Sequence, residues 1–116
     1  MNRFKNLNIW NRSISLATEI YKVTSKFPSD EKFGLCSQIR RSVVSISSNI
    51  AEGAGRNTNK DFKRFLAIAY GSLYELETQV IIACNLNYLS KSEQEILSKE
   101  IAELQKMVYS FSKTLC

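Results

Sequence analysis

Gln38-Ile39-Arg40-Arg41-Ser42-Val43-Val44-Ser45-Ile46-Ser47-Ser48-Asn49-Ile50-Ala51-Glu52-Gly53-Ala54-Gly55-Arg56 is the stretch whose reading decides the fold. Ile39, Val43, Ile46 and Ile50 recur at steps of four and three, the spacing of one face of an α-helix. Two arginines open the stretch, and a glycine-rich turn leading into a basic cluster closes it. Its polar residues are small and numerous. The pattern describes a packed helix charged at both ends, running from about Leu35 to Ala54, with Gly53 and Gly55 as natural stop residues.

The same period extends outward in both directions. Before it, two stripes define a first helix over about residues 9–26. One is Trp10, Ile14, Ala17, Tyr21 and Thr24; the other is Ile9, Leu16, Ile20, Val23 and Phe27. Pro28 is expected to end this helix, because proline disfavours helical geometry at the residue before it. After it, Thr58 reads as an N-cap with Asp61 three positions on. A third helix then runs over 59–85, about 40 Å long. Phe62, Phe65, Leu66, Ala69, Leu73, Leu76, Val80 and Ala83 form its core face. Asn87 and Ser90 mark a turn, and Ser92-Glu93-Gln94-Glu95 reads as a capping box. A fourth helix over 93–114 carries Leu97, Ile101, Leu104, Val108, Phe111 and Leu115. Four long helices on short loops predict an all-α, antiparallel up-down-up-down four-helix bundle, one domain over 1–116.

Composition narrows the function classes. A chain of 116 residues buries roughly 60–70% of its unfolded surface, enough for one modest core. With no histidine, the commonest general base and metal ligand is missing, and with it histidine triads, zincin sites and histidine-dependent helical nucleases. Cys36, Cys84 and Cys116 have neither disulfide-framework nor zinc spacing and read as reduced thiols. No apolar run reaches membrane-spanning length, and no apolar segment follows the N-terminal charges as in a secretory signal. A cytoplasmic protein without membrane contact, metal or cofactor is expected.

Charge is uneven. Residues 1–64 hold twelve Lys/Arg against five Asp/Glu, and residues 65–116 hold four against six. A basic half of this kind fits a polyanion-facing surface. Its best site is the start of the third helix. There Arg56, Lys60, Lys63 and Arg64 surround free helix N–H groups and the positive end of the dipole. Glu52 and Asp61 neutralise part of that charge. Arg40, with Arg3, Lys5 and Arg12, adds to the excess. Gly53-Ala54-Gly55-Arg56 is not a phosphate-binding loop of the nucleotide-hydrolase kind, since no strand precedes it and no GK[ST] follows. Phe62 and Phe65 fall on the core stripe and not among the basic residues, so the sequence supports backbone-directed binding rather than readout of single strands.

Other polar residues read as structural. Arg41 is assigned a cross-helix pair with Glu75, which leaves Arg40 for a polyanion or a neighbouring subunit. Ser42, Ser45, Ser48 and Asn49 on one helix, and Ala67, Gly71 and Ser72 on the next, let backbones approach closely. They serve either packing inside the bundle or a subunit interface. Gly71 lies inside a helix, at a cost of about 1 kcal/mol relative to alanine, and so calls for a packing reason. Asn49 and Glu52 have no partner acid, base or nucleophile, so no catalytic residue is assigned.

Taken in order, a set of motifs resembles a known family. They are Ile9-Trp10, Phe27-Pro28, Phe33-Gly34-Leu35, Ser37-Gln38-Ile39-Arg40-Arg41, Ser45-Ile46, Asn49-Ile50-Ala51-Glu52-Gly53, Phe65-Leu66, Ala69-Tyr70-Gly71-Ser72 and Glu75-Leu76. They resemble the bacterial four-helix-bundle proteins encoded in intervening sequences of 23S ribosomal RNA genes. Cys36 departs from the pattern, where that family has a hydroxyl residue capping the second helix. The resemblance implies a homopentameric ring and kinship with the basic accessory protein of diversity-generating retroelements. It attaches no catalytic activity. The expectation is a non-enzymatic, oligomeric bundle that binds nucleic acid, RNA above DNA, through phosphates. The alternative is a protein-interaction scaffold, such as an accessory subunit for a nucleic-acid enzyme.

Overall fold

The computed structural model describes residues 4–115, so Arg3 and Cys116 lie outside the described residues. Four helices carry the fold: α1 (Asn8–Thr24), α2 (Leu35–Ala54), α3 (Asn59–Asn85) and α4 (Lys91–Lys113). Single turns of 3-10 helix, Phe4–Asn6 and Ser29–Glu31, precede α1 and α2. Each helix packs on its chain neighbours, and α4 closes back on α1. The result is an antiparallel up-down-up-down bundle, 43 × 24 × 20 Å.

The core follows the apolar period. Ile39, Val43, Ile46 and Ile50 of α2 meet Leu66, Ala69, Leu73, Leu76 and Val80 of α3, all buried, with Leu97, Ile101, Leu104 and Val108 from α4. Each large aliphatic side chain so buried contributes about 1.5–3 kcal/mol. On α1 the stripe of Ile9, Leu16, Ile20 and Val23 is fully buried in this core, and from the other stripe Trp10 and Ala17 pack against it while Thr24 is buried. Ile14 and Tyr21 of that stripe are exposed, so the second face of α1 is covered only in part.

Helix ends depart from the sequence expectation where side chains compete with the backbone. α1 stops at Thr24, two residues short of Lys26. The Thr24 hydroxyl turns back to donate to the Ile20 carbonyl at 2.7 Å, and the Phe27 N–H closes a tight turn on the Thr24 carbonyl. α4 starts two residues earlier than expected. The capping box is Ser90 with Glu93, not the one read at Ser92: Ser90 Oγ accepts from the Glu93 N–H at 3.0 Å, and Glu93 Oε1 accepts from the Ser90 N–H at 2.9 Å. This register frees Glu93 Oε2 to accept from Lys26 Nζ at 2.6 Å. Thr58 does cap α3, accepting from the Asp61 N–H at 3.1 Å. Asn87, at φ 65, closes α3 in the left-handed conformation asparagine tolerates. Its N–H and that of Tyr88 donate to the Cys84 and Ala83 carbonyls.

With Cys36 in place of a hydroxyl residue, α2 is capped from the preceding turn. Glu31 Oε1 accepts from the Leu35 N–H at 3.0 Å, and Glu31 Oε2 accepts from the Tyr88 hydroxyl at 2.8 Å. One carboxylate thereby ties the entry of α2 to the α3–α4 turn. The Leu35 N–H and then the Tyr88 hydroxyl stabilise its charge and hold its pKa below the usual 4.5. A pKa depressed by folding contributes stability that is present above the unfolded value and lost as pH falls through the folded one. Glu31→Gln is therefore expected to lower the melting temperature at pH 7. The gap from wild type should close as the pH drops below about 4.5, as thermal melts across pH 3–7 will show.

Candidate nucleic-acid interface

The α2–α3 turn brings Arg56 and the first two turns of α3 together at one end of the bundle. Arg56, Lys60, Lys63 and Arg64 are all exposed. The Arg56 guanidinium lies 4.7 Å and the Arg64 guanidinium 5.0 Å from the ring centroid of Phe65. Phe65, a residue only 8% exposed, is thus a shared platform that holds two cations near each other. Among the described residues the one carboxylate within ion-pair reach is Asp61, 3.6 Å from Arg64. Among the described residues Glu52 forms no ion pair, nor do Arg56, Lys60 and Lys63. The Thr58 cap occupies one of the free N–H groups that open α3, and those remaining face outward with the positive dipole end.

The other predicted basic residues do not join this cluster. Arg12 pairs with Glu103 of α4 at 2.6 Å. Arg40 is engaged at the opposite end of the bundle. Its Nε donates to Thr24 Oγ1 at 2.9 Å, its Nη2 donates to the Tyr21 carbonyl at 3.3 Å, and its guanidinium lies 4.4 Å from the Tyr21 ring centroid. It fastens α2 to the negative dipole end of α1. Sixteen residues separate it from Arg56, about 24 Å along a helix. The allocation of the two arginines is therefore reversed: Arg40 is the structural one. Arg41 is exposed and forms no ion pair with Glu75, although both line a groove of about 500 Å³ between α2 and α3.

The small polar residues separate in the same way. Ser45 and Ser72 hydroxyls meet across α2 and α3 at 3.0 Å, and Asn49 Nδ2 donates to the Ser45 carbonyl at 2.8 Å. These residues serve the bundle itself. Gly53 does more than end a helix. A Cβ there would fall 2.8 Å from Phe65 Cβ and 2.9 Å from Phe62 Cδ1, so the glycine lets α3 seat against α2 directly beneath the basic cluster. Gly71 has no such neighbour, since a Cβ there would meet nothing within 4 Å. Packing inside the bundle does not explain it. Sequence reasoning also missed Phe65 as a cation platform, because a core-stripe position gives no sign of what covers its outer edge.

Four antiparallel helices, a dense apolar core and basic residues gathered at one end define a small all-α bundle protein. Among the described residues no three Cys, Asp or Glu side chains gather as a metal-binding set, and no helix is long and apolar enough to cross a membrane. The chain belongs to the 23S rRNA-intervening sequence protein family, whose model matches residues 5–110. It is similar in fold to a crystal structure from Bacteroides thetaiotaomicron VPI-5482, described as a protein with unknown function from the S23 ribosomal protein family. The two are 24% identical with a TM-score of 0.84, over 90% of this chain and 98% of that one. No curated protein matches the chain.

Proposed function

We propose that this protein is a non-enzymatic, self-assembling bundle that binds RNA through backbone phosphates at the start of α3. The observation that carries the reading is the convergence of Arg56 and Arg64 on Phe65, beside Lys60 and Lys63, which form no ion pair among the described residues. A guanidinium held over an aromatic ring is pre-positioned for phosphate oxygens, so less entropy is lost on binding. Family membership fits an RNA-linked role without specifying one. The thiols of Cys36 and Cys84 suit a reducing cytoplasm. The test is affinity for RNA across a salt series, which falls steeply if phosphates are contacted. A scaffold for an acidic protein predicts instead a pull-down whose yield is unchanged by nuclease.

Self-assembly, as a homopentamer in the resembling family, rests on a different surface. Phe33 is 90% exposed and lies beside exposed Tyr21 and Val44, and an apolar patch of this kind supports an interaction site here. Tyr21, Arg41 and Val44 line the groove beside it. Phe33→Ser is expected to reduce the solution mass toward that of the 13.2 kDa chain while leaving the helical circular dichroism spectrum unchanged. An unchanged mass would show that this face does not hold the assembly together.

A further inference from the structure

The outer face of α3 continues beyond the basic cluster. Lys60, Lys63, Ala67, Tyr70 and Tyr74 follow one another at steps of three and four, and so lie along one stripe. α4 runs antiparallel beside them and adds Tyr109 and Lys113. The Tyr70 and Tyr74 rings meet edge to face at 5.1 Å, and the Tyr70 and Tyr109 rings are 6.0 Å apart. Lys113 Nζ lies 4.9 Å from the Tyr109 ring centroid. Tyr74 and Tyr109 are 47% and 50% exposed. Ala67 and Gly71 are exposed beside them and have the smallest side chains on this face. With open space above Gly71, they leave a shallow shelf next to the rings.

We infer that this shelf stacks unpaired nucleobases, so that the RNA bound at the basic cluster is single-stranded. The inference rests on the phosphate-binding reading above and names the form of RNA that site takes. Aromatic faces stack any base, so the contact is sequence-tolerant. In a duplex the base faces are stacked on one another and withheld from the tyrosines. Charge favours this occupant over a second copy of the chain. Lys60 and Lys63 lie on the same stripe and Lys113 lies over the Tyr109 ring, against one carboxylate further along the stripe, Glu77, which accepts from Gln105 Nε2 at 3.3 Å. A strand whose phosphates meet Lys60 and Lys63 reaches Tyr70 after seven residues of helix, about 10 Å, which two nucleotides span.

The test compares a twelve-nucleotide oligouridine with a twelve-base-pair RNA duplex by fluorescence anisotropy at low salt. Wild type is expected to bind the single strand more tightly. Tyr74→Leu with Tyr109→Leu keeps helix propensity and apolar bulk, and is expected to weaken single-strand binding about 10-fold or more while leaving duplex binding and the salt slope in place. Gly71→Leu, which fills the shelf and removes no tyrosine, should act in the same direction. Thermal melts confirm that the variants fold. Equal affinity for both RNAs, unchanged in the variants, overturns the stacking proposal and leaves phosphate binding standing. No affinity for either RNA overturns both. A tyrosine variant that changes solution mass but not RNA affinity makes this face a contact between copies, and also overturns the proposal.

Discussion

Replacing Arg56, Lys60, Lys63 and Arg64 together by alanine is expected to abolish RNA binding at 0.1 M salt and to flatten its salt dependence. Four phosphate contacts give a slope of log affinity on log salt of about −2.8 for single strands to −3.6 for duplex. Raising salt from 50 to 200 mM should then weaken wild-type binding about 50- to 150-fold. The quadruple variant loses that response. The fold should persist, because all four side chains are exposed and each exposed cation–π contact contributes only about 0.5–1 kcal/mol. Substituting lysine at 56 and 64 separates charge from geometry. The slope stays, while affinity falls with the loss of the planar, two-pronged donor. A quadruple variant that binds as wild type does would place the RNA site elsewhere.

Gly53→Ala should destabilise the bundle by about 1–3 kcal/mol, the usual cost of overpacking a filled interface. The added methyl meets Phe65 Cβ at 2.8 Å, Phe62 Cδ1 at 2.9 Å and the Phe62 carbonyl oxygen at 3.2 Å. The first and last of these are on or beside the α3 backbone, so the strain cannot be relieved by rotating a flexible side-chain tip. Relief requires α3 to move away from α2, which disturbs the platform that Phe65 offers to Arg56 and Arg64. Helix propensity opposes this, since alanine is favoured over glycine by about 1 kcal/mol, but the close contact outweighs it. Urea unfolding should show a lower midpoint with an unchanged slope, and RNA affinity should fall at temperatures where the variant is folded. At Gly71 the same propensity acts without a clash. A stability for Gly53→Ala equal to or above wild type would mean that the close α2–α3 approach is not needed.

The helix faces were legible because burial repeats with the helix. On α2 and α3 the residues at steps of three and four are the ones that close the core, down to Leu73 and Leu76. The basic end of α3 was legible too, since its members are near neighbours in sequence. What escaped depended on elements distant in the chain. Whether Arg40 or Arg41 is anchored turns on where the last carbonyls of α1 lie. Two Ser-x-x-Glu patterns overlap at residues 90–95, and the one used leaves Glu93 able to reach Lys26. The tyrosine shelf needs Tyr109 and Lys113 from α4 beside Tyr70, which no reading of α3 alone supplies. Glu31 as a cap for α2 is hidden for the same reason, because its second partner is Tyr88.

A self-assembled bundle that holds RNA by its phosphates reveals itself in the mass of the purified protein in low-salt solution before and after nuclease. Before digestion the protein should have a mass that is a multiple of 13.2 kDa and carry nucleic acid, and afterwards the same multiple without it. A 13.2 kDa monomer with no nucleic acid, unchanged by nuclease and unshifted by added single-stranded RNA, would contradict it.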